Sequence, residues 1–272
     1  MSLTTADFDY VRTFVRERSA IVLEPGKEYL VESRLKPLAR TLGVDTINEL
    51  IAQLRKGSVD LQTAVVEAMT TNETSWFRDH HPFEVLRNAV IPYLIDRRSG
   101  TRTLRIWSAA CSTGQEPYSL AMMLRESFPK LASWQVQIVA TDLSTEVLDK
   151  AREGKYAQLE ANRGLPAPML VRWFDRDGMG WRVKPEIRAA VEFKELNLVR
   201  RWPSMQPWDL VLLRNVLIYF DPATKTDILG RVHSLLAPDG FLLLGAAETT
   251  LNTHGGFERV PYEKAGCYRP KP

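Results

Sequence analysis

Asn72, Glu73, Thr74, Ser75, Arg78 and Asp79 crowd into one eight-residue stretch, NETSWFRD, with Trp76 and Phe77 between them. An amide, two carboxylates, two hydroxyls and a guanidinium beside two aromatics can cap a helix. They can equally close over a polar ligand that needs several hydrogen bonds at once. Further polar groups stand where short apolar runs end: TLRIWSAA leads into CSTGQEP with Glu116, VQIVATD ends on Asp142, VEFKELNL carries Asn197, and DLVLLRN ends on Arg214 and Asn215. A guanidinium and an amide directly after an apolar run are expensive to bury without partners, so they are expected to serve a ligand or a structural ion pair.

The types present select among ligands. A dinucleotide turn wants GxGxxG so that the backbone can approach a pyrophosphate, and here Gly114 stands alone. Glu116, in the first turn of the following helix, suits a cation such as an amino-acid ammonium. Asp142 lies 28 residues beyond Gly114, where an acid accepts hydrogen bonds from a ribose diol. Its other reading is a helix N-cap, a role for which Ser144 is also placed. A ribose and an amino group without phosphate describe S-adenosylmethionine.

These groups need rigid elements to hold them. A chain of 272 residues, 44% hydrophobic and 25% charged, with a net charge of +3, has the composition of a globular protein with one large domain or a small one joined to a larger one. Two distant cysteines indicate neither a disulfide framework nor a zinc site, and the isolated or adjacent histidines indicate no metal. No signal peptide or membrane-length apolar stretch is read, so a cytoplasmic location is expected. Residues 1 to about 98 carry helical spacing only, including a Thr46–Glu49 capping box. From residue 103 short apolar runs alternate with helical stretches, which predicts a doubly wound, mostly parallel sheet covered on both faces. RWF and WRV around DRDGMG predict a hairpin in a small antiparallel insertion at about 155–190. The expected organisation is an all-helical N-terminal domain over 1–75, a linker helix over 76–98 and an α/β domain over 99–272. In KEYLVESRLKPLAR, Arg34 and Arg40 lie on either a solvated helix face or a docking surface for an acidic partner, and Pro37 is expected to kink or end that helix.

TTNETSWFRD, AACSTGQEPYSLAM, VATDLS, ELNL and RNVLIYFD, in this order behind an all-helical region, resemble the chemotaxis receptor methyltransferases of the CheR family. The resemblance implies an S-adenosylmethionine-dependent methyltransferase sheet and methyl transfer to glutamate side chains of chemoreceptor cytoplasmic domains, with S-adenosylhomocysteine as product. It implies that Asn72, Thr74 and Arg78 fold over the cofactor, that Glu116 and Asp142 hold its amino group and ribose, and that Asn197, Leu198, Arg214 and Asn215 complete the pocket. Arg78 is expected to aim the substrate carboxylate and Tyr219 to line the methyl path. Trp76, where a Phe is common, is expected to form part of an aromatic wall. Arg34 and Arg40 would face the acidic receptor helices, the protein acting as a monomer without nucleic acid or membrane insertion. In relatives a β subdomain at this place can capture a receptor tail peptide; the short DRDGMG connection predicts that this protein acts without such a tether. Competing readings are a nicotinamide-dependent oxidoreductase, disfavoured by the missing glycines, a module that senses S-adenosylmethionine without turnover, and a nucleic acid methyltransferase, which would show a Pro-Pro-aromatic turn where RNVLIYF stands.

Overall fold

The computed structural model describes residues 3–262 and 264–271. Four helices open the chain: α1 (Thr5–Ser19), α2 (Glu28–Thr41), α3 (Ile47–Arg55) and α4 (Val59–Met69). Their apolar stripes meet in one core, with Phe8, Val11 and Val15 of α1 against Leu35, Ile51 and Val65. The Thr46–Glu49 capping box forms, each side chain accepting from the other residue's backbone N–H. Pro37 does not end α2, contrary to expectation. Pro37 and Ser33, four residues earlier, are both exposed, so the carbonyl that loses its donor faces water.

Residues 70–80 form no helix and lead into α5 (His81–Val85), a five-residue π-helical stretch (Leu86–Val90) and α6 (Ile91–Arg97). A single continuous helix was the expectation over this region; Pro92, near the start of α6, lacks the N–H that an α-helical turn requires, and the wider turn precedes it. Arg98 ties the end of α6 to the sheet, its Nε donating to Asp209 at 2.7 Å and its terminal nitrogens to Asp239 at 2.9 and 2.5 Å. The Arg98 guanidinium, with Arg97 alongside, holds the Asp239 carboxyl down at about 2.

The sheet begins with β1 (Thr103–Ala109), followed by α7 (Gln115–Ser127), β2 (Gln135–Asp142) and α8 (Thr145–Glu153). A subdomain intervenes: β3 (Lys155–Ala157), α9 (Gln158–Asn162), α10 (Ala167–Trp173), β4 (Phe174–Asp177) and β5 (Gly180–Val183), the three strands antiparallel in the order β3-β5-β4. The predicted hairpin is β4–β5; its strands extend into DRDGMG and leave only Gly178 and Met179 as the turn. Strand β3 had no signal in the sequence. The chain then runs through α11 (Pro185–Arg188), β6 (Val191–Glu195), β7 (Trp208–Leu213), α12 (Pro222–Leu235), β8 (Leu236–Leu244), β9 (Phe257–Arg259) and β10 (Gly266–Pro270).

The main sheet has the order β6-β2-β1-β7-β8-β10-β9, parallel from β6 to β8, with β10 antiparallel to both neighbours. Period-two alternation sends Leu104, Leu212 and Leu243 into a core with α5, α6 and α7, and Trp107, Leu213 and Leu242 into a second core with α12. Both faces are therefore covered. The Pro238-Asp239-Gly240 segment, turn-forming in its residue types, lies inside β8 as a bulge: the pairing jumps from Trp208↔Leu236 to Leu210↔Phe241. A bulge accommodates a proline that cannot donate to the ladder.

Candidate functional site

Chain order reverses between β1 and β7, and in open parallel sheets a ligand crevice opens beyond the carboxyl ends of the strands at such a point. A cleft lies there, lined by Asn72, Thr74 and Arg78 from the strap over 70–80, by Glu116 and Asp142, by Asn197 and Leu198, and by Arg214, Asn215 and Tyr219. The ten residues singled out for a pocket in the sequence thus line one cleft. Arg34 and Arg40 are not among its lining residues.

The β1–α7 turn is built on left-handed backbone at alternate positions, Ala110 (φ 56°), Ser112 (φ 51°) and Gly114 (φ 91°). Only the last is glycine, and it has a second reason: a Cβ there would lie 2.9 Å from the Ala151 Cβ. Ser112 is the pivot of this turn. Its N–H donates to Asp142 Oδ2 at 2.8 Å, and its hydroxyl donates to the Asn72 carbonyl at 2.7 Å, joining strap, turn and acid. Asp142 also accepts from Ser144 N–H at 3.1 Å, while Ser144 itself caps α8. The N-cap role open to Asp142 therefore belongs to Ser144. Burial pushes the Asp142 carboxyl up from its ordinary value, and the Ser144 and Ser112 N–H bonds pull it back in part. A carboxylate has about four lone-pair directions, so these backbone bonds leave acceptor capacity for a ligand hydroxyl.

Glu116 is held from two sides, by the Ser108 hydroxyl at 2.8 Å and by Arg214 Nη1 at 2.8 Å. Arg214, with a side chain only 1% exposed, also donates from Nη2 to Asp79 Oδ2 at 2.7 Å and to the Arg78 carbonyl at 3.0 Å. One guanidinium therefore clamps the strap to the floor of the cleft. The clamped backbone is strained: Phe77 (φ 47°), Asp79 (φ 69°) and His80 (φ 49°) have positive φ, and His81 N–H bonds back to the Asp79 carbonyl in a γ-turn of the rarer, strained kind. Arg78 is half-buried and donates from Nη1 to the Glu73 carbonyl at 2.8 Å.

Asn197 lines the cleft as expected and also ties it to α1. Its amide donates to the Arg18 carbonyl at 2.9 Å and its oxygen accepts from Val199 N–H at 3.0 Å, so the side chain fastens the end of α1 to the sheet. Trp76 is no pocket wall: it is 1% exposed, donates to the Glu160 carbonyl and packs edge-on against Tyr156 and Phe174 of the subdomain. Arg34 is not a loose surface charge. It donates to the Met69 carbonyl at 2.6 Å, to the Thr70 carbonyl and to Thr71 Oγ1 at 2.7 Å, supplying the carbonyls that α4 leaves unpaired where it ends. Burial lowers its pKa, and the nearby Tyr219 phenol offsets part of that. Arg40 is exposed on α2, as expected. Cys111 is buried, and burial, then Asp142 and Glu116, push its thiol well up, which suits a core residue rather than a nucleophile.

Sequence reasoning gave Asp79 no individual role and missed Ser112 and Glu248. Asp79 and Ser112 lie inside quoted motifs, but their partners are 135 and 30 residues away. Glu248 follows the end of β8, so the strand-end rule that found Asp142 would have found it too.

The lining charges are three carboxylates, Glu73, Glu116 and Asp142, against two guanidinium groups, Arg78 and Arg214. A net negative cleft lined by these acceptors and also by Leu143, Leu196 and Leu198 fits a ligand of net positive charge carrying an ammonium, a diol and a flat apolar base. S-adenosylmethionine has that composition.

Comparison with known proteins agrees. The model of the CheR methyltransferase SAM binding domain matches residues 72–265, and that of the CheR methyltransferase all-alpha domain matches residues 6–70. Chemotaxis protein methyltransferase 1 of Pseudomonas aeruginosa is 48% identical over 276 residues, covering all of both chains. Chemotaxis protein methyltransferase Cher2 of Pseudomonas putida is 45% identical over 280 residues, again covering both chains fully. Chemotaxis protein methyltransferase 1 of Vibrio cholerae is 38% identical over 276 residues and 99% of each chain. With its fold, its acid-lined cleft and both family domains matched in order, the chain belongs to the CheR family of S-adenosylmethionine-dependent chemotaxis methyltransferases.

Proposed function

We propose that this enzyme acts in the cytoplasm as a monomer and esterifies glutamate side chains on the cytoplasmic helices of bacterial chemoreceptors. The observation that carries the reading is the convergence of Glu116, Asp142 and the Arg78 strap on one cleft at the sheet's switch point. Bound S-adenosylmethionine supplies a methyl already activated on a sulfonium. A glutamate, with a reference pKa of about 4.3, is ionised at neutral pH, so no general base is needed. What remains for the protein is orientation and exclusion of water. In this reading Glu116 takes the cofactor's ammonium and Asp142 its ribose, and Asn72, Thr74, Leu198 and Asn215 close around it. Asn197 and Arg214 act by holding the walls. Arg78 aims the incoming carboxylate and Tyr219 lines the methyl path. The test is transfer of radiolabelled methyl to receptor-bearing membranes: label released by base is an ester, whereas base-stable label or none would refute the reading.

Asp142→Ala is expected to weaken S-adenosylmethionine and S-adenosylhomocysteine together by about 10- to 100-fold, the magnitude for losing charge-assisted hydrogen bonds. Calorimetry with both ligands checks this; a loss confined to one would remove the ribose assignment.

The two arginines of α2 separate under the structure. Arg40 is exposed, and Arg40→Glu is expected to lower receptor methylation about 3- to 10-fold at low salt with cofactor affinity intact, raised salt mimicking part of the loss. Arg34→Glu would instead release the carbonyls next to the strap and lower both methylation and cofactor affinity. Unchanged methylation in the Arg40 variant would end the docking proposal. With a turn of two residues between β4 and β5, we expect no micromolar binding of receptor-tail pentapeptides; a micromolar isotherm, lost on deleting residues 175–180, would contradict this.

A further inference from the structure

Glu248 is 8% exposed and accepts four backbone N–H groups: Gly245 at 2.7 Å and Asn215 at 2.8 Å on Oε2, Val216 at 2.9 Å and Ile218 at 3.3 Å on Oε1. Three of those donors belong to the segment after β7. Asn215 holds a left-handed φ of 59° and Val216 has a φ of −125°, so their successive N–H groups point to one side, and the short 3-10 turn over Leu217–Tyr219 adds the Ile218 N–H from its open end. Such a concavity of backbone N–H groups is an anion site, and this chain fills it with its own carboxylate. All of the carboxylate's acceptor directions are then used, so Glu248 has no capacity left for a ligand. Its surroundings admit little displacement. A Cβ on Gly245 would lie 2.7 Å from both Glu248 Oε2 and Asn215 Nδ2.

The segment that Glu248 holds carries Asn215, Val216 and Tyr219 to the cleft wall. We infer that Glu248 is a positioning residue for methyl transfer, keeping Asn215 turned to the cofactor and Tyr219 at the methyl path without touching either reactant. The inference rests on the roles proposed above for Asn215 and Tyr219. A left-handed asparagine relaxes readily once its N–H has no fixed acceptor, since only the anchored backbone favours that region over the ordinary ones. Loss of the anchor should therefore appear in the cleft before it appears in the fold, whose sheet is held by a core on either face.

Glu248→Gln tests this, because it keeps the volume and one oxygen but presents an NH₂ to backbone donors. The variant, folded at assay temperature by circular dichroism, is expected to bind S-adenosylmethionine and S-adenosylhomocysteine about tenfold more weakly, as for losing hydrogen bonds to a charged acceptor. Its kcat should fall at least as far, while the KM for receptor-bearing membranes stays within about twofold, because receptor docking is read at a different surface. Wild-type affinities and kcat in the folded variant would overturn the inference, whatever its melting temperature. Should Glu248→Gln not fold, Gly245→Ala keeps the carboxylate and dislodges it by the contact above; wild-type affinity and kcat in that variant are equally fatal. A wrong reading of the cleft itself shows differently, as unchanged cofactor affinity in Asp142→Ala.

Discussion

Arg214→Met is expected to lower the affinity for S-adenosylmethionine by at least about 100-fold and the stability of the apoprotein by about 3 kcal/mol, the range for removing one partner of a buried ion pair. The cause is geometric as much as electrostatic. The Arg214 side chain, 1% exposed, serves Glu116, Asp79 and the Arg78 carbonyl together. Without it Glu116, only 13% exposed, keeps the Ser108 hydroxyl but loses its counter-charge, and the strained turn over Phe77–His80 loses the clamp that maintains it. For a chain of this size 3 kcal/mol corresponds to roughly 6–12 °C in melting temperature. Ligand-induced stabilisation should also shrink, because it depends on the affinity that has been lost. Differential scanning calorimetry with and without S-adenosylmethionine measures both effects. Arg214→Lys is expected to recover little, since a point charge cannot reproduce a planar fork with three acceptors. A melting temperature within about 1 °C of wild type and an unchanged ligand shift would show that the strap is held by other contacts.

Arg78→Ala separates catalysis from binding. An orienting residue acts mainly in the transition state, so kcat is expected to fall by about 100- to 1000-fold while cofactor affinity changes by less than about tenfold. The geometry is compatible with the proposed aiming role: the Arg78 carbonyl is pinned by Arg214 and Nη1 rests on the Glu73 carbonyl, while the other guanidinium donors are left for an incoming carboxylate. Fully neutralising that carboxylate would weaken it as a nucleophile, so Arg78→Lys, which retains charge but loses the planar fork, should fall between wild type and alanine. Single-turnover methyl transfer at saturating cofactor gives the rate, and calorimetry the affinity. Losses of equal size in both would make Arg78 a cofactor ligand and nothing more.

Much of this site was legible in the sequence because its logic is local. A short apolar run between helical stretches reads as a strand buried on both faces, and in a parallel sheet its polar successor lies at the crevice; Glu116, Asp142 and Asn215 were placed at the cleft by that rule without any knowledge of partners. Helix signals behaved the same way, as the Thr46–Glu49 box shows. Tertiary structure decided which of two chemically sound roles each side chain took. Ser144 rather than Asp142 caps α8 because the Asp142 carboxylate is drawn to the Ser112 N–H across the turn. Arg34 closes the end of α4, Trp76 enters the subdomain core, and Pro37 stays helical because its orphaned carbonyl meets water. Left-handed backbone at Ala110, Ser112 and Asn215 carries no glycine to announce it. The composition of these segments permits such a conformation without requiring it; what requires it is a set of hydrogen bonds from distant parts of the chain, of which the Glu248 carboxylate under Asn215 is the fullest case. Residue types and their spacing determined what chemistry the cleft could do, and contacts between segments far apart in sequence decided which groups face the ligand and which hold them there.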